Sequence, residues 1–379
     1  MKILLLGDAS NCHRTLATGL RNLGHEVVVV SDGTAWMQTE RDIDISRRST
    51  GKLGGLSLYL RMLRLCATRL RGFDVVAVHN PIFLKLKPLP VRHIFSLIKR
   101  NNRSVFLTAL GTDTPYVEEC LDPLSPLEYN EFRHYGHQAP YALNHPEIER
   151  AWLTDPLRAH CDHIYSGIDG AVSILYEYHL ALHRRLPAEK TAYAGIPVDV
   201  SSIPFIGVPE KPEKVRIFLG RHSYRQDIKG TDRFETAARR AIERHPGKGE
   251  LIIVENRPYS EYLQLLSSAH VVLDQAYSYS PATNALLSMS YGQCVVSGGE
   301  EDYYRFIGET GASANRPVFN SPVDVEGMTA LLEDIITAPA GALRERGMKS
   351  REFVEKHHSA DIVAGRFLDF WEERLSRKH

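Results

Sequence analysis

The sequence predicts an α/β protein made of two doubly wound, Rossmann-like domains. Short, nearly continuous apolar runs alternate with segments of helical period, which is typical of parallel sheets covered by helices on both faces. A proline-rich polar stretch interrupts this rhythm near the middle of the chain, and the rhythm then starts again. The length of 379 residues is enough for two hydrophobic cores.

The first half of the chain opens with a strand–loop–helix–strand unit. An apolar run at 2–6 leads through a polar turn into a helical stretch at 14–23, which Gly24 ends, and a second apolar run follows at 26–30. Such apolar runs indicate strands buried on both faces. Further strands of this half are predicted at 74–78, 105–108 and 170–174.

The boundary between the domains is predicted at 195–214, where four prolines fall in polar, irregular sequence. We therefore expect an N-terminal domain at 1–200 and a C-terminal domain at 201–360. The last helical stretch, 361–379, either extends the second domain or packs back on the first. The second domain is predicted to contain strands at 215–219, 251–254, 271–273 and 295–296 and a helix at 231–244.

Charge and cysteine content exclude several classes of protein. The 46 basic and 46 acidic residues balance, so the composition gives no reason to expect a nucleic-acid partner. Five cysteines without a CxxC spacing argue against a zinc knuckle or a disulfide framework and favour a reducing compartment, with the cytoplasm as the expected location. The apolar run at 3–6 is too short for a signal peptide, and no run is long enough to span a membrane.

The neutral total hides a polarised N-terminal domain. Residues 41–105 contain 14 Lys or Arg and 3 Asp or Glu, whereas residues 113–155 contain 2 basic and 9 acidic residues. Within the basic segment, 56–70 interleaves Leu, Tyr and Met with arginines. This pattern fits an ordinary surface helix or an amphipathic helix that contacts anionic lipid. The second alternative predicts peripheral contact with the inner face of the membrane and a partner molecule that lies near the membrane.

The loops that follow the strands of the second domain contain candidate ligand-binding residues, because ligands of open parallel sheets lie at the carboxyl ends of the strands. The loop 220–232 contains Arg221 and Lys229, a guanidinium and an ammonium that together suit a diphosphate, and Gly230 permits close approach. A solvated basic loop is the alternative.

A later loop of that domain, 277–284, leads into an apolar helix. Thr283 or Asn284 would lie at the helix N-terminus, where unpaired N–H groups and the helix dipole favour an anion, although simple capping is the alternative. Glu300 follows two glycines and could accept hydrogen bonds from hydroxyl groups of a ligand, or it could be an ordinary surface carboxylate.

Polar residues after the strands of the first domain are candidates for binding a second ligand. Asp113 could orient or deprotonate a hydroxyl group, and His79 follows another strand. Asn11 and His13 in the first loop could contact the same ligand. For all four residues, helix capping or a backbone hydrogen bond is the alternative. The triplet 42–44 mimics a metal-binding Asp-x-Asp, but its basic, loop-like surroundings favour a solvated turn, so no metal site is predicted.

Several short segments, taken in their order along the chain, resemble one known family. The segments 7–27, 108–113, 193–199 and 284–296 are similar to its opening unit, its strand end near the sugar, its approach to the linker and its donor-site helix. The family is that of the retaining, family 4-type GT-B glycosyltransferases, and the resemblance covers nearly the whole chain. It implies two Rossmann-like domains that face each other across a cleft, with the active site between them.

The resemblance also implies roles for individual residues. Arg221 and Lys229 would hold and neutralise the donor diphosphate, and Asp113 is the third predicted catalytic residue. Gly7, Asn11, His13 and His79 would bind the acceptor, the molecule that receives the sugar. On the donor side, Arg257 and Pro258 occupy the loop that contacts the nucleobase. Transfer would need neither metal nor cofactor, with a nucleotide-diphosphate sugar as co-substrate.

The sequence departs from the family pattern at three positions. Tyr279 and Leu287 stand where the family often has two glutamates, and Leu110 stands where a histidine is frequent. Tyr279 is nevertheless among the predicted donor-binding residues. The expected function is transfer of a hexose to a glycan or lipid-linked acceptor in cell-surface polysaccharide or glycoconjugate synthesis. A nucleotide-sugar epimerase of the same fold and a non-catalytic relative that binds nucleotide sugars remain alternatives.

Overall fold

Two parallel sheets organise the computed structural model, which describes residues 1–34, 37–221 and 226–377. Unit 1 contains Met1–Asp122, Pro146–Asp199 and the chain from Ser359 onward, and unit 2 contains Pro123–His145 and Val200–His358. The sequence predicted a single boundary near residue 200, whereas the chain passes between the two units more than once. Nothing in the sequence predicted that the segment 123–145 belongs to unit 2.

The elements are numbered in chain order. The strands are β1 Lys2–Leu6, β2 Glu26–Ser31, β3 Ile43–Asp44, β4 Val75–Val78, β5 Ser104–Ala109, β6 Arg133–His134, β7 His137–Gln138, β8 Gly170–Ser173, β9 Thr191–Tyr193, β10 Val215–Arg221, β11 Gly249–Glu255, β12 Val271–Leu273, β13 Cys294–Ser297 and β14 Phe319–Asn320. The helices are α1 Cys12–Asn22, α2 Lys52–Thr68, α3 Pro88–Asn101, α4 Thr114–Leu121, α5 Pro140–Asn144, α6 Pro146–Leu153, α7 Leu157–Gly167, α8 Tyr176–Leu182, α9 Gln226–Lys229, α10 Thr231–Arg244, α11 Tyr259–Ser267, α12 Thr283–Ser290, α13 Glu301–Phe306, α14 Val325–Ile336, α15 Ala342–His357 and α16 Ala360–Ser376.

Both large sheets have the strand order of a doubly wound fold. The seven strands of unit 1 run β3-β2-β1-β4-β5-β8-β9, and the five of unit 2 run β11-β10-β12-β13-β14, with every pair parallel. Strand β1 is buried apart from its first residue, and strand β4 is buried throughout, as their unbroken apolar sequences predicted. The predicted α/β class with two Rossmann-like sheets is confirmed. None of the described helices combines the length and the apolar character that crossing a bilayer requires.

The last helix, α16, belongs to unit 1. Its Trp371 is fully buried and lies 6.1 Å from Phe106 of the central strand β5, measured between ring centroids. Helix α1 packs on α16 at Gly19, where a Cβ atom would lie 2.1 Å from the backbone oxygen of Ala360. Glycine at this position therefore allows the two backbones to approach each other.

We expect Gly19→Ala to destabilise the protein by about 1–3 kcal/mol, because the added methyl group meets backbone that cannot move aside. The matched control is Gly365→Ala in α16, where an added Cβ has no heavy atom within 4 Å. That change should be neutral or stabilise the protein by up to about 1 kcal/mol through helix propensity. Urea unfolding of both variants measures the difference, and equal stabilisation by both would contradict the α1–α16 packing.

Candidate functional site

The carboxyl edge of the unit 2 sheet has a switch point between β10 and β12, where the strand order reverses. Connections leave the sheet in opposite directions there, which opens a crevice for a ligand. Lys229 lies in the connection after β10, and Asp274 follows β12 directly. Their side chains meet, with 2.9 Å between Lys229 Nζ and Asp274 Oδ1.

Asp274 is a buried anchor for this lysine. Its side chain is 1% exposed and that of Lys229 is 38% exposed. A buried carboxylate requires a charge partner, so the ammonium is held at the edge of the sheet while part of it faces solvent. The Asp274 Oδ2 atom is buried and has no hydrogen-bond partner within the described residues. The backbone N–H of Ala276 also donates to the carbonyl oxygen of Lys229, at 3.0 Å.

Gly230 allows these two loops to meet. Its φ of +69° is in the left-handed region, and an added Cβ would lie 2.9 Å from Ala276 Cβ and 3.0 Å from Tyr277 Cζ. The sequence predicted a close approach at Gly230, and the structure places protein side chains there. The glycine, which is the N-cap of α10, therefore sets the position of Lys229 at the end of α9.

Arg221, the last residue of β10, is held by two carboxylates. Its Nη1 donates to Glu235 at 2.6 Å, and its Nη2 and Nε donate to Glu255 at 2.7 and 3.1 Å. The hydrogen bond to Glu255 raises the pKa of Arg221 above its ordinary value. The guanidinium is thus engaged by protein carboxylates in this structure, whereas the sequence predicted contact with a diphosphate. Residues 222–225 of the same loop lie outside the described residues.

Thr283 and Asn284 are the first residues of α12, as the sequence predicted. The residue before them, Ala282, supplies no side-chain cap to the helix. The Asn284 Oδ1 atom accepts a hydrogen bond of 2.7 Å from Tyr262, whose hydroxyl would lie 2.8 Å from a Cβ on Gly220. This chain of contacts places the start of α12 beside the carboxyl end of β10, next to Arg221.

The segment 123–145, called the strap below, packs on the remaining donor-side loops. Tyr129 stacks on Tyr279 with 4.8 Å between ring centroids, and the Tyr279 hydroxyl accepts a 2.7 Å hydrogen bond from the backbone N–H of Glu128. His134 lies against Tyr277, at 4.3 Å between ring centroids. Tyr279 is therefore buried and packed against the strap, and its contact with a donor stays a prediction.

Glu300 is a positioned carboxylate with one available oxygen. Its Oε1 accepts hydrogen bonds from the Tyr129 hydroxyl at 2.6 Å and from Asn320 Nδ2 at 2.7 Å. Its backbone N–H donates to the carbonyl oxygen of Tyr279 at 3.1 Å. Within the described ranges, Oε2 has no hydrogen-bond partner, and Glu300 is partly exposed. This carboxylate can accept hydrogen bonds from hydroxyl groups.

Two other predicted features are surface features. Arg257 is 58% exposed and lies 3.4 Å from Glu261, and Pro258 precedes α11 as its N-cap. The triplet 42–44 is ion-paired: Asp42 bonds Arg21 at 2.8 Å, and Asp44 bonds Arg41 at 2.9 Å.

Unit 1 has its own switch point, between β1 and β4, and a cavity of about 230 Å³ lies there. Gly7, Asp8, His79 and Lys85 are among its lining residues. Asp8 Oδ2 and His79 Nδ1 are buried and lack a hydrogen-bond partner in the described part of the chain. Burial raises the pKa of Asp8 to about 7 and lowers the pKa of His79 to about 4. An added Cβ on Gly7 would lie 1.9 Å from the His79 ring, so glycine admits this histidine.

Of the three other acceptor-side candidates, two have structural roles. His13 is fully buried, and its ring nitrogens bond the Gly7 carbonyl oxygen at 2.7 Å and Thr108 Oγ1 at 2.9 Å, which corrects the expectation of a direct acceptor contact. Asn11 occupies the N-cap position of α1 with φ +64°, but its side chain forms no capping hydrogen bond, and its buried Oδ1 has no partner among the described residues. Asp113 caps α4, because its carboxylate accepts from Tyr116 N at 3.0 Å and from the Tyr165 hydroxyl at 2.7 Å.

The capping alternative therefore describes Asp113. Burial raises its pKa to about 6, but both oxygens are engaged by the protein. Asp8 differs from Asp113 because it lines the unit 1 cavity and its buried Oδ2 has no hydrogen-bond partner among the described residues.

Comparison with solved structures identifies the fold. Sucrose-phosphate synthase from Thermosynechococcus elongatus is 14% identical, with 100% of both chains covered and a TM-score of 0.61. The catalytic domain of starch synthase IV from Arabidopsis thaliana, bound to ADP and acarbose, is 10% identical with the same coverage and TM-score. The chain has the GT-B fold.

A UDP-N-acetylglucosamine 2-epimerase described as putative, from Listeria monocytogenes, shares this fold. It is 10% identical, with a TM-score of 0.55, and the match covers 100% of this chain and 98% of that one. No protein-family model matches the sequence, and a search of curated proteins finds no match either.

Sequence reasoning missed residues in both GT-B units. Asp8 and Asp274 follow predicted strands almost directly, so the rule that ligand residues lie at strand ends could have found them. Tyr129 had no comparable signal, because its importance comes from packing on Tyr279 and Glu300, 150 or more residues away in the sequence.

We expect Asp8→Asn to change how stability depends on pH. The folded pKa of Asp8, about 7, exceeds its ordinary value of 3.8, so the stability contributed by the protonated form is lost as the pH rises from about 4 through 7. Asparagine keeps the oxygen that accepts from His13 N and removes the unpaired charge. At pH 8 the variant should be more stable than the wild type, by on the order of 2–4 kcal/mol.

Thermal melts of both proteins at pH 5 and pH 8 measure this effect. The exposed Asp334→Asn is the control and should change nothing at either pH. A difference between Asp8→Asn and the wild type that is the same at both pH values would contradict the unpaired, buried state of Asp8.

Proposed function

We propose that this protein is a hexosyltransferase that moves a sugar from a nucleotide-diphosphate donor to a glycan or lipid-linked acceptor. The observation that carries the proposal is the Lys229 ammonium, held at the switch point of unit 2 by the buried Asp274. The uncapped start of α12 lies beside the same strand ends. A cation and a helix N-terminus together suit the charge of a diphosphate.

The transfer step depends on stabilising the departing diphosphate. Lys229 and the N–H groups of α12 would stabilise negative charge as it develops on the leaving group. Glu300 would bind hydroxyl groups of the donor through its available oxygen. We include retention of configuration and independence from metal in the proposal, because a departing diphosphate can itself accept the proton of the incoming hydroxyl on the same face.

The acceptor side of the proposal is the cavity of unit 1. Asp8 Oδ2 and His79 Nδ1 are polar atoms without a partner in the described ranges of the chain, and a hydroxyl group would supply one. A carboxyl group with a pKa of about 7 can also take a proton from that hydroxyl near neutral pH. Positioning in this cavity would lower the barrier to transfer. Cell-surface polysaccharide or glycoconjugate synthesis is the role that we propose for the product.

A nucleotide-sugar epimerase is the second candidate, and structural similarity to a 2-epimerase of the same fold favours it. The two reactions differ in their dependence on acceptor. Release of free nucleoside diphosphate only when a glycan or lipid-linked acceptor is added supports transfer, and equal release without acceptor counts against it. Replacement of the family glutamates by Tyr279 and Leu287 favours a third candidate, a binding protein without catalysis.

We expect Lys229→Ala to weaken donor binding, because a charge-assisted contact with the diphosphate is lost. The effect should be roughly 10- to 100-fold in affinity, equivalent to about 1.5–3 kcal/mol. Thermal shifts with uridine, adenosine and guanosine diphosphate sugars measure it, since a ligand that binds only the folded state raises the melting temperature. Each variant is compared with its own ligand-free melt, so that any loss of intrinsic stability cancels.

Arg240→Ala is the matched control, since this arginine is exposed on α10 and pairs with Glu326. It should retain the full ligand-induced shift. Arg221→Ala tests whether the guanidinium leaves Glu235 and Glu255 to bind the diphosphate, in which case its shift also falls. An unchanged shift in Lys229→Ala would overturn the proposed donor site.

A further inference from the structure

Four leucines on the surface of unit 1 are more than half exposed. Leu53, Leu56 and Leu60 on α2 are 80, 53 and 55% exposed, and Leu89 on α3 is 73% exposed. Single exposed leucines are common, but a cluster of them on two neighbouring helices marks an interaction surface. We propose that this α2–α3 face docks on the surface of an anionic lipid bilayer.

The pattern of α2 supports an outward apolar face. Its buried residues are Gly54, Leu58, Met62 and Cys66, which recur every four positions and form one inward stripe. Leu53, Leu56 and Leu60 lie on the opposite side of the helix, about 180° away at 100° per residue. An ordinary surface helix would present polar side chains there, whereas α2 is apolar on both sides.

Helix α3 extends the same face. A 2.5 Å hydrogen bond joins Tyr59 Oη on α2 to His93 Nδ1 on α3. Leu56 lies one helical turn before Tyr59, and Leu89 lies one turn before His93. The exposed leucines of both helices therefore flank a contact that holds the helices together.

Charge selects an anionic bilayer as the occupant. Thirteen Lys or Arg residues lie between 45 and 105, and Asp74 is the single acidic residue in that range. The Asp74 carboxylate accepts a hydrogen bond from the backbone of Lys2. Lys52, Arg64 and Lys87 are exposed on or next to the two helices. Leucines would enter the interface while these cations meet lipid phosphates. A second copy of the chain would bring the same positive charge to this face, which disfavours self-association.

The face also adjoins the unit 1 cavity. Residues 82–85 line the cavity and lead into α3. Arg47 links the two regions, since its guanidinium donates to the carbonyl oxygens of Lys85 and of Gly51, the N-cap of α2. That a bilayer-borne acceptor enters this cavity rests on the proposed function, whereas docking itself does not.

Co-sedimentation of the full chain with vesicles tests the proposal, with no donor present. We expect binding to vesicles of phosphatidylcholine mixed with phosphatidylglycerol, weak binding to phosphatidylcholine alone, and loss of binding at high salt. A triple variant with Leu53→Ser, Leu56→Ser and Leu60→Ser should bind about tenfold or more weakly. Charge reversal by Lys52→Glu, Arg64→Glu and Lys87→Glu should have at least the same effect.

The control variants carry equally exposed residues of unit 2. Leu124→Ser with Leu143→Ser matches the leucine variant, and Lys211→Glu with Lys248→Glu matches the charge variant. Both controls should bind vesicles like the wild type. Absence of binding to anionic vesicles, or equal loss in the controls, would overturn the proposal. So would a leucine-dependent dimer in solution that binds no vesicles. Because no nucleotide is used, failure here leaves the donor-site proposal standing, and failure of Lys229→Ala leaves this one standing.

Discussion

A buried carboxylate needs a charge partner, and this requirement at Asp274 organises the donor side of the molecule. Asp274 lies just past the end of a buried strand, where burial of an unpaired carboxylate is costly, and Lys229 supplies the charge partner. Lys229 can do so because Gly230 lets its loop approach Ala276 and Tyr277. The result is a cation fixed at the point where the strand order reverses. A ligand with negative charge would find there a preorganised partner and would have to compete with a single carboxylate.

The switch points of the two sheets have one feature in common, which different side chains provide in each sheet. Each switch point has a buried polar atom that no described residue bonds: Asp274 Oδ2 in unit 2, and Asp8 Oδ2 with His79 Nδ1 in unit 1. Such atoms are rare in folded proteins because they cost stability. A ligand bound at either switch point would supply the missing hydrogen-bond partners. The strap adds a third component, since Tyr129 fixes one oxygen of Glu300 and leaves the other available.

The sequence predicted the fold well because its signals are local. Apolar strands such as 2–6 and 271–273, and turns closed by glycine, depend only on neighbouring residues. It also predicted correctly that Thr283 and Asn284 begin a helix. It could not predict the partners of Arg221, the burial of His13 or the strap. Those features arise from contacts between residues distant in sequence, and no periodicity records them. Asp113 shows the same limit, because a helix cap and a catalytic carboxylate share one sequence pattern.

A crystal structure of the protein with a bound nucleoside diphosphate is the most direct test of the central claim. We expect diphosphate oxygens within hydrogen-bond distance of Lys229 Nζ and of the backbone N–H groups that begin α12. A diphosphate bound elsewhere on the chain, with Lys229 still paired to Asp274 alone, would contradict it.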